Sequence, residues 1–208
     1  MRGHIGGVLV RAARSWLEGH ERTGLPFPPP SGPEFEARLA ALPQRGNGSI
    51  DSARYFALFA DAPQGVSTAA DVQRINDASL SGEYPDINRV LDTLEAVSID
   101  TAVLSNTNDA HWARLFTQTP GEPEFPTLVR AQDRFAIHLL GVEKSDPRAY
   151  RHVERATGHA AHRILYFDDL LDNVEGARVV GWTAELIDYT GDSAAQTLAI
   201  LRRRGVVD

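Results

Sequence analysis

Downstream of about residue 97 the chain alternates short apolar runs with helical segments, and from about 13 to 96 the runs are nearly all helical. Thr101–Leu104 reads as a strand that ends at Ser105-Asn106-Thr107-Asn108, followed by a helix over about Ala110–Phe116. Phe125–Val129 reads as a short strand, and Asp146–Thr157 as a helix with Pro147 in its first turn. Ile164–Phe167 is an apolar strand ending in the adjacent carboxylates Asp168 and Asp169. Helix Asp172–Val180, strand Trp182–Ile187 and helix Ala194–Arg204 complete the pattern. Such alternation implies an α/β fold with a parallel sheet covered on both faces. Reactive groups in such sheets lie at the carboxyl ends of strands, where Ser105 and Asp168-Asp169 fall. Ile5–Val10 reads as a further strand and turn, broken by Gly6-Gly7. Between about 13 and 96 nearly everything has helical spacing: 12–21, 34–42, 52–60, 69–80 and 85–96, with a proline-rich loop at 25–33.

Of 21 cationic Lys and Arg residues one alone is lysine, Lys144. Arg is a planar fork, whereas Lys is a compact point charge on a flexible stem. A site that needs one ammonium among carboxylates and phosphate oxygens cannot accept the fork; the competing reading is an ordinary surface Lys. The net charge is −7, which repels nucleic acid and anionic lipid. Arg202-Arg203-Arg204 suits the end of the last helix. No apolar run approaches the roughly 20 residues of a membrane span. The absence of cysteine fits a reducing, cytoplasmic setting. These features argue against a nucleic-acid or membrane partner, and a monomer or homodimer is expected.

The strand ends suggest a chemistry. Ser105-Asn106-Thr107 opens a strand-to-helix turn, where a hydroxyl and backbone N–H groups can hold an anion, phosphate above all. Ser and Asn are also ordinary helix caps. Lys144 would add positive charge beside that anion. Asp168 and Asp169 offer hard oxygen ligands for Mg²⁺, or caps for the next helix. Asn173 could orient their loop. His159 and His162, three apart, show no metal-ligand spacing.

Three segments together carry a resemblance. They are Leu104-Ser105-Asn106-Thr107-Asn108, the run Leu139–Tyr150 around Gly141-Val142-Glu143-Lys144-Ser145-Asp146-Pro147, and Phe167-Asp168-Asp169-Leu170-Leu171-Asp172-Asn173-Val174-Glu175-Gly176-Ala177-Arg178. They resemble the second, third and fourth motifs of the haloacid dehalogenase-like (HAD) superfamily. The nearest branch is the small phosphatases with a helical cap, similar to glucose-1-phosphatase-like proteins. The resemblance implies a Rossmann-like core formed by residues 1–12 and 97–208, with an all-helical cap inserted at 13–96. It also implies Mg²⁺-dependent hydrolysis of a small phosphorylated metabolite. Ser105 and Asn106 would bind phosphate, Lys144 would neutralise it, and Asp168 and Asp169 would hold the metal. The family's nucleophile is an Asp at the end of the first strand; here His4-Ile5-Gly6-Gly7-Val8-Leu9 places His4 there and Gly6 at the general acid/base position. Carboxylate attack makes an acyl-phosphate, and neutral imidazole is a poor Mg²⁺ ligand. Ser145 stands where the family usually has Pro, and only three residues precede His4. The implied outcome is impaired turnover. The alternative is a non-catalytic protein that retains the pocket for a phosphate ligand or a protein partner.

Overall fold

A computed structural model describes residues 2–3, 6–25, 33–60, 68–116 and 123–208. Five parallel strands form the core sheet: β1 (Arg2–Gly3), β4 (Ala102–Ser105), β5 (Asp133–Ala136), β6 (Leu165–Asp168) and β7 (Thr183–Leu186), in the order β5-β4-β1-β6-β7. The short first strand is therefore central, pairing Gly3 with Val103 on one side and Phe167 on the other. Alternate residues of β4 and β6 face opposite sides, as a two-residue period requires. Val103 and Phe167 enter one apolar cluster, with Val90, Leu94, Leu198 and Leu201. Leu104 and Tyr166 enter the other, with Tyr150, Val153, Val174 and Trp182. The first cluster is covered by helices α5 (Ile87–Ala96) and α10 (Ser193–Arg203), the second by α8 (Pro147–Thr157) and α9 (Leu171–Val179).

The cap is built from α1 (Trp16–Thr23), α2 (Pro33–Gly46), α3 (Ser52–Ala60) and α4 (Ala69–Ala78), around Ala41, Tyr55, Phe56 and Val72. Thr68 starts α4 with a reciprocal capping box to Asp71. The helical reading through Leu80 is corrected here. Ser79 turns its hydroxyl back onto the Asn76 carbonyl at 2.6 Å and ends the helix. Leu80 then opens β3 (Leu80–Glu83), antiparallel to β2 (Val10–Ala12). This ribbon leads from the cap into the core, and α5, which follows it, packs on α10.

The strand expected at Phe125–Val129 is also corrected. The amides of Thr127 and Leu128 donate to Glu83 Oε1 at 2.8 and 2.9 Å, so they serve no ladder, and a 3₁₀ turn forms over Leu128–Arg130. The edge strand is β5 instead, with the charged Asp133 and Arg134 exposed, as on many edge strands. A short helix, α7 (Ile137–Leu140), leads from β5 toward Lys144, and α6 (Asp109–Phe116) follows β4.

Candidate active site

The adjacent carboxylates and the lone lysine meet at the carboxyl end of β6. Lys144 Nζ lies 2.9 Å from Asp168 Oδ2, and neither side chain is exposed to solvent. Burial lowers the Lys144 pKa, and the Asp168 charge opposes that shift. Among the described residues four donors reach Asp168. Oδ2 accepts from Lys144 and the Tyr166 hydroxyl; Oδ1 accepts from Leu170 N at 2.9 Å and Asn173 Nδ2 at 3.0 Å. Burial, then the Asp168 charge, pushes the Tyr166 hydroxyl well above its usual value, so it stays a donor. Lys144 is therefore no surface residue, and Asp168 serves it as well as the start of α9.

An outer layer fixes these groups. Tyr150 Oη accepts from Ser145 N at 3.1 Å and donates to the Asn173 carbonyl at 2.8 Å, tying the lysine loop to α9. Burial raises its pKa to about 12. Tyr150, Tyr166 and Trp182 stack edge to face beneath. Gly176 permits the close approach: a Cβ there would lie 2.8 Å from Ser145 Cα. Ser145 itself adopts φ +79°, a turn that proline in the same place could not make.

Ser105 ends β4 almost fully buried, and among the described residues its hydroxyl meets no hydrogen-bond partner. Asn106 Oδ1 accepts from Lys144 N at 2.9 Å, so its carbonyl oxygen positions the lysine loop. An ammonium carries three donors. One of them reaches Asp168, and the others meet no acceptor among the described residues. His4 lies outside the described residues. His159 pairs with Asp100 at 3.0 Å, beyond the opposite end of the sheet.

Arg14 carries no signal that sequence reasoning could find. Its guanidinium forms an ion pair with Asp169 and lies 3.7 Å over the Tyr189 ring. Gly7, at φ +84°, backs the same carboxylate so closely that any Cβ would overlap it. The donor chemistry here fits Mg²⁺, which takes one or two carboxylates and keeps water or phosphate oxygens. Among the described residues no third acidic or histidine ligand joins the pair.

The haloacid dehalogenase-like hydrolase family model matches residues 7–181. The chain belongs to this family. A curated relative, Phosphatase MT3486 of Mycobacterium tuberculosis, is 27% identical over 143 residues, covering 69% of this chain and 64% of the relative, under two thirds of its length. A HAD-like hydrolase of Porphyromonas gingivalis has the same fold, with TM-score 0.76 and 17% identity over 97% of this chain and 96% of that one. The HAD family enzyme bt-2542 of Bacteroides thetaiotaomicron, solved with magnesium and inorganic phosphate, gives TM-score 0.73 and 17% identity over 94% and 96%. The HAD core of this chain is thus a parallel sheet with a helical cap, as its sequence motifs imply. No helix among the described residues is long and apolar enough to cross a membrane.

Proposed function

We propose that the protein binds a small phosphate monoester at the carboxyl ends of β4 and β6, in a site built for HAD phosphoryl transfer. One observation carries this reading: the buried Lys144 ammonium, near the strand end that holds Ser105, has donors that nothing in the described protein accepts. An unsatisfied buried donor costs about 1–3 kcal/mol, and phosphate oxygens would meet that need. Lys144 neutralises the phosphate, Ser105 and the Asn106 turn orient it, and Asn173 and Tyr166 hold Asp168 against Lys144. Mg²⁺, held by Asp168 and Asp169, would neutralise the remaining phosphate charge. Arg14 must leave Asp169 for that, and its side chain is 33% exposed, so it has room to move. Arg14→Gln is therefore expected to tighten Mn²⁺ binding, read by electron paramagnetic resonance.

Hydrolysis is impaired in this reading, because His4 holds the place of the carboxylate that forms the acyl-phosphate. The second reading, a phosphate-ligand sensor or scaffold without turnover, is favoured by the pairing of both carboxylates with protein cations, Lys144 and Arg14. A phosphatase screen with Mg²⁺ on the parent and on His4→Asp separates them. Turnover restored by His4→Asp supports an impaired hydrolase. Silence from two folded proteins supports the sensor, and robust turnover by the parent removes both the impairment and the sensor.

A further inference from the structure

Arg45 is an unusual cation. It is 6% exposed, and among the described residues no carboxylate comes within ion-pair distance. Its Nη2 donates to Asn76 Oδ1 at 2.5 Å and to Ser52 Oγ at 3.2 Å, and its guanidinium lies 4.4 Å over the Tyr55 ring. Burial disfavours its charge enough to lower its pKa. Asp109, which Ser52 Oγ reaches in turn, and Asp77 act on it only from beyond ion-pair distance, and a buried charge so indirectly paired is expensive. Arg45 instead faces a cavity of about 230 Å³ between cap and core, lined also by Arg14, Trp16, Asn76, Asn108 and His111.

The lining is polarised. None of its described residues is acidic, and two are arginine. His111 adds no charge: Asn108 Oδ1 accepts from His111 N, so Asn108 Nδ2 donates to His111 Nδ1 at 3.2 Å. His111 Nε2 then donates to the Asn76 carbonyl at 2.8 Å, which fixes a neutral imidazole. Arg14 joins the cavity to the active site, since it lines the one and pairs with Asp169 in the other. It is smaller than the roughly 300–1,000 Å³ of a drug-sized site, and so suits a small head group.

We propose that this cavity is a second anion subsite, in which Arg45 binds the carboxylate of a phosphorylated small acid whose phosphate occupies the Ser105–Lys144 site. The inference rests on the phosphate reading above and names the substrate class for it. A planar carboxylate matches the guanidinium fork, and a desolvated pair of this kind discriminates strongly against a neutral analogue.

The probes are 3-phosphoglycerate and glycerol 3-phosphate, which differ in carrying a carboxylate or a hydroxymethyl group, with inorganic phosphate and D-glycerate beside them. Isothermal titration should show the parent binding 3-phosphoglycerate at least tenfold more tightly than glycerol 3-phosphate. Arg45→Met should erase that preference and leave inorganic phosphate binding intact. Arg45 also holds Ser52 and Asn76, so a second variant guards against misfolding. Ala13→Asp places a carboxylate in the same lining with Arg45 unchanged, and should erase the preference too. Equal binding of the two esters by the parent, or a preference that survives both variants, overturns the subsite. D-Glycerate keeps the two failures apart. A protein blind to phosphate that still binds glycerate through Arg45 keeps the subsite and loses the phosphate reading. A protein that ignores glycerate and both esters loses the subsite as well.

Discussion

Asp168 is the residue on which the site turns. It is fully buried, and Lys144, Tyr166, Asn173 and the Leu170 amide share its two oxygens. Removing one donor leaves charge poorly compensated in a dry place. Tyr166→Phe deletes only a hydroxyl, and hydrogen bonds to charged groups contribute about 1.5–3 kcal/mol. It should lower unfolding free energy by about 2 kcal/mol in urea titration at pH 7, with an unchanged m-value. Lys144→Met takes away the counter-charge itself, and breaking a buried pair costs roughly 3–5 kcal/mol. That variant should be the less stable of the two. A chain indifferent to Lys144→Met would mean that the pair adds nothing to the fold.

At the scale of elements, close approach of α9 to the lysine loop depends on Gly176. A methyl group there meets Ser145 backbone, which has no free end to swing aside. Gly176→Ala should destabilise by about 1–3 kcal/mol, the usual range for overpacking, and should weaken phosphate binding by displacing Lys144. Equal stability would show that the loop yields. The meeting of Lys144 with Asp168 was legible in the sequence, because a lone lysine and a strand ending in two carboxylates are local signals, whereas the close approach that needs Gly176 arises only when α9 packs on the lysine loop. The sequence pattern missed β5, whose charged Asp133 and Arg134 hide an edge strand. It also mistook Phe125–Val129 for one, since a distant Glu83 takes the amides. Arg14 and Arg45 were invisible for a similar reason: an arginine in a loop or on a helix looks solvated until the fold brings a carboxylate or a cavity to it.

The whole molecule is two layers of chemistry joined at a polar seam. Asp109, starting α6 in the core, accepts from Ser52 N at 3.0 Å and so caps the cap's helix α3. His111 and Asn76 add a second stitch at 2.8 Å. Burial is the main cause that lowers the His111 pKa from 6.5 to about 4, with Arg45 contributing. The unfolded chain therefore binds the proton more tightly than the folded one. The stability His111 contributes is complete above pH 6.5 and is lost as pH falls through 4. Allowing for partial exposure, it amounts to on the order of 2 kcal/mol. Thermal unfolding of the parent against His111→Gln should show a stability difference that shrinks across that range; a constant difference would contradict a buried neutral imidazole. The central claim, that the Lys144–Asp168 end of the sheet is a phosphate site, is tested most directly by calorimetric binding of inorganic phosphate to the parent and to Lys144→Met and Lys144→Arg, each shown to be folded by circular dichroism. The account predicts binding by the parent and at least tenfold weaker binding by both variants, about 1.4 kcal/mol, because neither side chain supplies a compact ammonium. Binding of equal strength by all three would contradict it.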